Sequence, residues 1–156
     1  SDVYKRQEVM SIFDSFSINA SGLTAERYRM DVISENIANI DTTRTEDGTP
    51  YRRKLVTFEE KGKNGTFASA LAKAKGDYIG GGVRVGKTYE DTETEMKMVY
   101  DPSHPDADEN GYVTYPNVNV ITEMTDLIDA SRSYEANATA FSTSKSMAVK
   151  GLEMAQ

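Results

Sequence analysis

Four short stretches of this 156-residue chain carry residue types that can do chemistry. The first, GGVRVGKT at 81–88, places Gly81, Gly86, Lys87 and Thr88 in the spacing G-x-x-x-x-G-K-[ST] of a phosphate-binding loop. Such a loop works only between a buried parallel strand and a helix whose N-terminal N–H groups point at the phosphates. Here the upstream AKAKGDYIG offers only Tyr78 and Ile79 as large apolar residues, and the downstream KTYEDTETEMK lacks a core-facing stripe. Val83 and Val85 alternate with Arg84 as a strand would, and Glu90, Asp91, Glu93 and Glu95 would repel a triphosphate. Asp101 follows too soon for a helix to stand between it and the loop. The expectation is a glycine bend entering a strand.

The other three fail on similar grounds. Asp106, Asp108, Asn110 and Gly111 match the start of a calcium loop, but its twelfth position is Asn117 and not a bidentate glutamate. Pro102 and Pro105 also deny it an entering helix. His104, the single histidine, stands between Asp101 and Asp106 with no second histidine and no cysteine to complete a metal site. Its expected role is structural, within a proline-rich turn. Ser142 and Lys145 fit S-x-x-K without its companion motifs, on a long amphipathic segment. No catalytic, cofactor or metal site is expected.

The elements that would position such residues are two long helices and what lies between. From 11 to 39, Phe16, Leu23, Met30 and Ile37 recur every seven residues, flanked by Ala20, Ile33 and Ile40. The opposite face carries Glu26, Arg27, Arg29, Asp31 and Glu35, so a proline-free helix over about 13–39 is expected, roughly 40 Å long. Residues 1–9 read as a detached leader before Met10, non-native or dispensable. In the C-terminal quarter, Val120, Leu127, Tyr134, Phe141, Ala148 and Ala155 form a second seven-residue series. Met124, Ser131, Ala138, Lys145 and Leu152 fill the alternate positions. Five heptads of this kind predict a coiled-coil or bundle helix of roughly 55 Å, far longer than an average helix.

Between them, residues 41–117 hold all four prolines and all but Gly22 and Gly151 of the eleven glycines. Segments 49–61, 81–91, 96–101 and 111–116 are rich in β-branched and aromatic residues and predict strands. FASALAKAKGD (67–77) reads as a short helix or a loop. The fold class expected is therefore mainly α with a small β-rich insert (α+β): leader 1–9, N-terminal helix 10–40, insert 41–117 and C-terminal helix 118–156.

Composition sets outer limits. Hydrophobic residues make up 38%, below the usual figure of about 45–50%, a count that includes glycine. The core is expected to be thin or shared with neighbouring subunits. A net charge of −7 argues against nucleic-acid and anionic-membrane partners. No apolar run approaches the ~18 residues that span a bilayer. Asp14, Ser15, Ser17 and Asn19 interrupt the first apolar stretch, which does not read as a signal-peptide core. With no cysteine, the chain is indifferent to redox compartment.

The two ends carry a more specific pattern. SINASGLTAERYRMDVISENIANIDTTRT resembles the N-terminal motif of the bacterial flagellar rod and hook family, with its A-x-G-L-x-A-x-R start and its N-x-A-N-x-x-T turn at Asn36, Asn39 and Thr42. NVNVITEMTDLIDASRSYEANATAFSTSKSM is similar to the family's other half, through Asn117, Asn119, Glu123, Met124, Arg132, Tyr134 and Asn137. The stretch VYDPSHPDADENGYVTYPNVNV and the short insert resemble the proximal-rod members, and the likeness runs from Met10 to Gln156 apart from 62–80. The resemblance implies a structural subunit of the basal-body rod, the hollow shaft that crosses the periplasm, transmits torque and conducts exported subunits. It implies proximal and distal rod subunits, the rod–MS-ring junction protein and the flagellar type III export apparatus as partners, with export without a cleaved signal peptide. It implies no small-molecule substrate and no membrane insertion. Assembly through the helices would use Phe16, Leu23, Met30, Ile37, Val120, Met124, Leu127, Tyr134, Phe141 and Leu152. The competing readings are another proximal-rod subunit, a coiled-coil adaptor unrelated to flagella, and a nucleotide-binding enzyme.

Overall fold

The computed structural model describes residues 2–62 and 80–153. The segment 67–77 and the seam residue Ala155 therefore lie outside the described residues. Among the described residues six elements follow one another: α1 (Asp2–Ala38), β1 (Lys54–Glu60), β2 (Val83–Glu90), β3 (Lys97–Tyr100), β4 (Tyr112–Tyr115) and α2 (Val120–Glu153). The α+β class holds. One helix bound differs from expectation, since α1 starts at Asp2 and not near residue 13. Asp2–Phe13 contains neither proline nor glycine, so nothing in its chemistry stops the helix there.

Both inner helix ends are closed by asparagine. At the end of α1, the Glu35 carbonyl accepts both the Asn39 N–H at 3.1 Å and Asn39 Nδ2 at 2.9 Å. The Thr42 hydroxyl and N–H then donate to Asn39 Oδ1 and to its carbonyl, each at 3.1 Å, folding the chain away from the helix axis. At the start of α2, Asn119 Oδ1 accepts the Ile121 N–H at 3.0 Å, and its carbonyl accepts the Glu123 N–H at 2.9 Å. That is the geometry of an N-cap.

Two compact units divide the chain. One comprises Ser1–Arg27, Phe58–Gly86 and Ser131–Gln156; the other comprises Tyr28–Thr57 and Lys87–Ala130. In the first, α1 and α2 approach closely. Phe16 and Phe141 meet edge to face with ring centroids 5.0 Å apart. A Cβ on Gly22 would lie 2.8 Å from Asn137 Oδ1, so a side chain there would have to displace the Asn137 amide. The start of β2 is fixed to α1 in the same unit. Gly82 has φ +95° and a Cβ there would run into Ser21 Oγ, while the Val83 N–H donates to that same oxygen at 3.0 Å.

The second unit holds β3 and β4, an antiparallel pair in which Lys97, Met98, Val99 and Tyr100 face Tyr115, Thr114, Val113 and Tyr112. Alternation puts Val113, fully buried, on the inner face, and Met98, Tyr100, Tyr112 and Thr114 on the outer one. The strands expected at 81–91, 96–101 and 111–116 are present, somewhat trimmed. The one expected at 49–61 begins only at Lys54; before it, the Tyr51 N–H donates to the Thr42 carbonyl and the Arg53 N–H to Asn117 Oδ1. The core is thin. Among the described residues, Ala25, Val32, Ile33, Tyr51, Val113, Val118 and Ala130 are the buried hydrophobic ones, yet Glu123 heads the fully buried side chains by size.

Two glycines with positive φ separate space from backbone conformation. Gly48 (φ +77°) has open surroundings, whereas a Cβ on Gly111 (φ +81°) would lie 3.0 Å from the Tyr100 ring and 3.1 Å from Pro102. Gly48→Ala is expected to cost about 1 kcal/mol and Gly111→Ala about 1–3 kcal/mol. Urea midpoints of the two variants measure the difference; equal values would show that the contacts of Gly111 are unimportant.

Candidate functional site, a buried polar node

The residues that could do chemistry separate into exposed turns and one buried cluster. Lys87 lies in mid-strand, where its N–H donates to Thr57 Oγ1 at 2.9 Å and its carbonyl accepts from that hydroxyl. Thr88 Oγ1 lies 3.0 Å from the Tyr28 hydroxyl. These are strand residues, with no run of free N–H groups converging on an anion. In the 101–112 turn, Asp108 Oδ1 accepts the Asn110 and Tyr112 N–H groups at 2.9 and 2.8 Å. Asp106 bonds the Thr43 hydroxyl at 2.8 Å and pairs with Arg44. The Ser103 hydroxyl and N–H both donate to Asp101, holding its carboxyl below the usual range. His104 Nδ1 accepts the Asp106 N–H at 3.1 Å, and its ring lies against Tyr115. Among the described residues no three histidine or acidic side chains converge as metal ligands. Ser142 and Lys145 lie on α2, where the Ser142 carbonyl accepts the Ser146 hydroxyl.

The buried cluster is built by α1, α2 and the 51–54 segment that enters β1. Asn36, 1% exposed, uses all four hydrogen-bonding positions of its amide. Its Nδ2 donates to the Lys54 carbonyl (2.9 Å) and to Glu123 Oε2 (3.0 Å). Its Oδ1 accepts from the Lys54 N–H and the Tyr51 hydroxyl, both at 2.9 Å. One side chain thus engages both main-chain groups of Lys54, as an adjacent strand would. Glu123, 0% exposed, is completed by Arg53: Nε donates to Oε1 at 2.5 Å, while Nη2 reaches Asp126 Oδ2 at 3.2 Å. A charge removed from water this fully must be paired and hydrogen-bonded.

A second asparagine extends the same device. Asn117 Oδ1 accepts the Arg53 N–H at 2.9 Å, and Asn117 Nδ2 donates to the carbonyls of Asp91 (2.9 Å) and Thr94 (3.1 Å). The Asp91 N–H returns to the Arg53 carbonyl at 2.8 Å. Asp91 Oδ1 accepts the N–H groups of Glu93 and Thr94, and Oδ2 accepts the Thr94 hydroxyl at 2.7 Å. These bonds from Thr94, more than the nearby Arg53 charge, lower the carboxyl's pKa. Burial, aided by Glu35, Glu123 and Glu90, raises that of the Tyr51 phenol.

Of the motif residues, the fold brings Asn36, Asn117 and Glu123 into this node and uses Asn39, Thr42 and Asn119 at the helix ends. Met124 and Arg132 are exposed on α2, Tyr134 is half-buried, and Asn137 faces Gly22. Among the residues expected to form the assembly seam, Phe16 and Phe141 touch. Leu23, Met30, Ile37 and Leu127 are half-buried, while Val120, Met124 and Leu152 are exposed. Sequence reasoning missed Tyr51, Arg53, Asp91 and Asp126. Asn36 and Glu123 carried a signal as polar residues at inward spacing, three after Ile33 and seven before Ala130.

Glu123→Ala leaves Arg53 paired with Asp126 alone and takes one acceptor from buried Asn36; it is expected to cost about 3 kcal/mol in urea unfolding, against about 1 kcal/mol for the cap change Asn119→Ala. Asp91 sets a pH dependence. Its carboxyl pKa is lower folded than unfolded, so its stabilisation is present above the unfolded value of about 3.9 and is lost as pH falls through the folded value. Asp91→Asn should therefore destabilise the chain by about 1–3 kcal/mol at pH 7. The penalty should shrink in unfolding curves recorded below pH 4, and a penalty constant with pH would refute the assignment.

Two family models match the chain: "Flagella basal body rod protein" over residues 16–44 and "Flagellar basal body rod FlgEFG protein C-terminal" over residues 109–154. Asn36 falls in the first stretch, and Asn117, Asn119 and Glu123 fall in the second. The flagellar basal-body rod protein FlgC of Bacillus subtilis is 46% identical over 151 residues, covering 93% of this chain and 99% of that protein. FlgC of Borreliella burgdorferi is 45% identical over 155 residues (94% and 99%), and FlgC of Salmonella typhimurium 40% over 147 residues (94% and 100%). Identity of this order, end to end, carries the family with it: the chain belongs to the FlgC flagellar basal-body rod proteins and is a structural rod subunit of the flagellum.

Proposed function

We propose that the chain serves in the proximal rod, assembling through α1 and α2 into the hollow shaft that transmits torque across the periplasm and conducts exported subunits. Its neighbours are the other proximal rod subunits, the distal rod and the protein joining the rod to the MS ring. It reaches them through the flagellar type III export apparatus, without a cleaved signal peptide. The observation that carries this reading is the distribution of apolar surface along α2. Glu123 and Ala130 are buried, yet Ile121, Met124, Ile128, Met147, Val149 and Leu152 stay exposed. A helix that leaves so many large side chains in water has faces for neighbours to cover.

Assembly energy then comes from covering and ordering these helices. Each large side chain buried contributes ~1.5–3 kcal/mol, against ~1–2 kcal/mol per backbone residue ordered. One helix pair barely breaks even, whereas many neighbours in a coiled-coil-like array gain. In the free chain the helices hold best where the polar node fixes them, around 28–38 and 120–130, and fray beyond.

Circular dichroism of the purified chain should accordingly show less helix than α1 and α2 together contain; a fully helical, protease-resistant monomer would contradict this. Leu127→Asp and Phe141→Asp should abolish incorporation into basal bodies and motility, scored on soft agar at matched protein level. Lys87→Ala should leave both unchanged.

A further inference from the structure

We infer that Asn110 is a site of spontaneous deamidation, which the folded turn before β4 holds closed and an unfolded chain leaves open. The chemistry needs only water. The Gly111 main-chain nitrogen loses its proton and attacks the side-chain carbonyl carbon of Asn110. Ammonia leaves and a cyclic succinimide remains. Water then opens the ring at either carbonyl, giving aspartate or, with the main chain rerouted through the side chain, isoaspartate. One water is consumed for each ammonia released, and nothing is oxidised or reduced. The site belongs to the turn itself, whatever the chain assembles with.

Sequence sets the intrinsic rate. A glycine after asparagine has no Cβ to obstruct the attack, and the chain holds this pair at 64–65 and at 110–111. Asn19, Asn36, Asn39, Asn117, Asn119 and Asn137 each precede alanine, isoleucine or valine, whose Cβ, branched in the last two, crowds the same approach. The fold then withholds the nucleophile. Asn110 is exposed, so water reaches its amide. Gly111 is tied on both sides: its N–H donates to the Asp108 carbonyl at 3.0 Å, closing a turn, and its carbonyl accepts the Asp101 N–H at 2.9 Å. Asp108 fastens the same turn through Oδ1, which accepts the Asn110 and Tyr112 N–H groups, and through its own N–H, which donates to the Tyr112 carbonyl at 2.8 Å.

Deprotonating Gly111 would remove that donor and set an anionic nitrogen 3.0 Å from the Asp108 carbonyl oxygen. The reaction therefore runs through the fraction of molecules in which this turn is open, and its rate tracks that population. The two products differ in consequence. Aspartate at 110 adds a carboxylate to an exposed side chain beside Asp108 and Glu109. Isoaspartate inserts a methylene into the main chain just before Gly111, which is bonded at both main-chain groups and packed against Tyr100 and Pro102. Those partners cannot all be kept, so isoaspartate formed in an unfolded chain hinders closure of the turn that sets Val99 opposite Val113.

Purified chain aged in mildly alkaline buffer, folded or in guanidinium chloride, tests this by peptide mass spectrometry, with fragment ions locating each amide converted to acid. In denaturant, Asn110 should convert about as fast as Asn64, the other asparagine before glycine. In the folded chain Asn110 should convert about tenfold or more slowly than in denaturant. Asp108→Ala should speed its conversion several-fold in native buffer, whereas Asp108→Asn, which keeps the acceptor oxygen, should leave it near the native rate. Equal rates at Asn110 in folded and denatured chain, or a folded Asp108→Ala variant that ages no faster than the native chain, would overturn the inference. If Asp108→Ala does not fold, the folded-to-denatured ratio of the unaltered chain still decides.

Discussion

A fully buried glutamate makes the strictest demand on this structure. Glu123 sits in the first turn of α2 with no access to water, and leaving its charge unpaired would cost more than one such side chain's burial can return. The partners that meet it come from everywhere else in its unit: Arg53 from the segment before β1, and Asn36 from the last turns of α1. Asn36 in turn ties down the main chain of Lys54, and Asn117 that of Arg53, so the segment entering β1 is held by side-chain amides. An apolar core of this size would tolerate a slipped helix. A set of directional bonds to one carboxylate and two amides does not, because a shift of one residue would leave several buried groups unsatisfied.

For a rod subunit, that division of labour has a physical logic. The node fixes the end of α1 and the start of α2 against the insert, using polar groups already satisfied within one chain. Elsewhere on α2, Ile121, Met124, Ile128, Met147, Val149 and Leu152 remain exposed. A folded centre with unfinished helices avoids burying the assembly surface within a single chain.

Much of this architecture was legible from residue order. The helices announced themselves through seven-residue recurrences, the strands through β-branched and aromatic runs, and the 112–115 strand through alternation that the register of Val113 against Val99 bears out. GGVRVGKT shows why context outweighs letters: Val83 and Val85 alternated as a strand does, and Gly82 proved to be the residue whose missing Cβ lets the chain pass Ser21. The node was only half legible. Asn36 and Glu123 stood at inward spacing, but Tyr51, Arg53 and Asp91 sit in irregular backbone, where no periodicity marks a side chain as inward. Their partners lie up to 73 residues away in sequence, so only the fold brings them together.

Hydrogen exchange on the free chain, read by amide, tests most directly whether the polar node is what the rest depends on. Slow exchange is expected at Arg53, Lys54, Asp91 and Glu123 and along the adjoining turns of α1 and α2. Those amides should lose protection together in Asn36→Ala, while 2–27 and 131–153 exchange quickly in both proteins. Uniform protection along the two helices that Asn36→Ala leaves untouched would contradict the account.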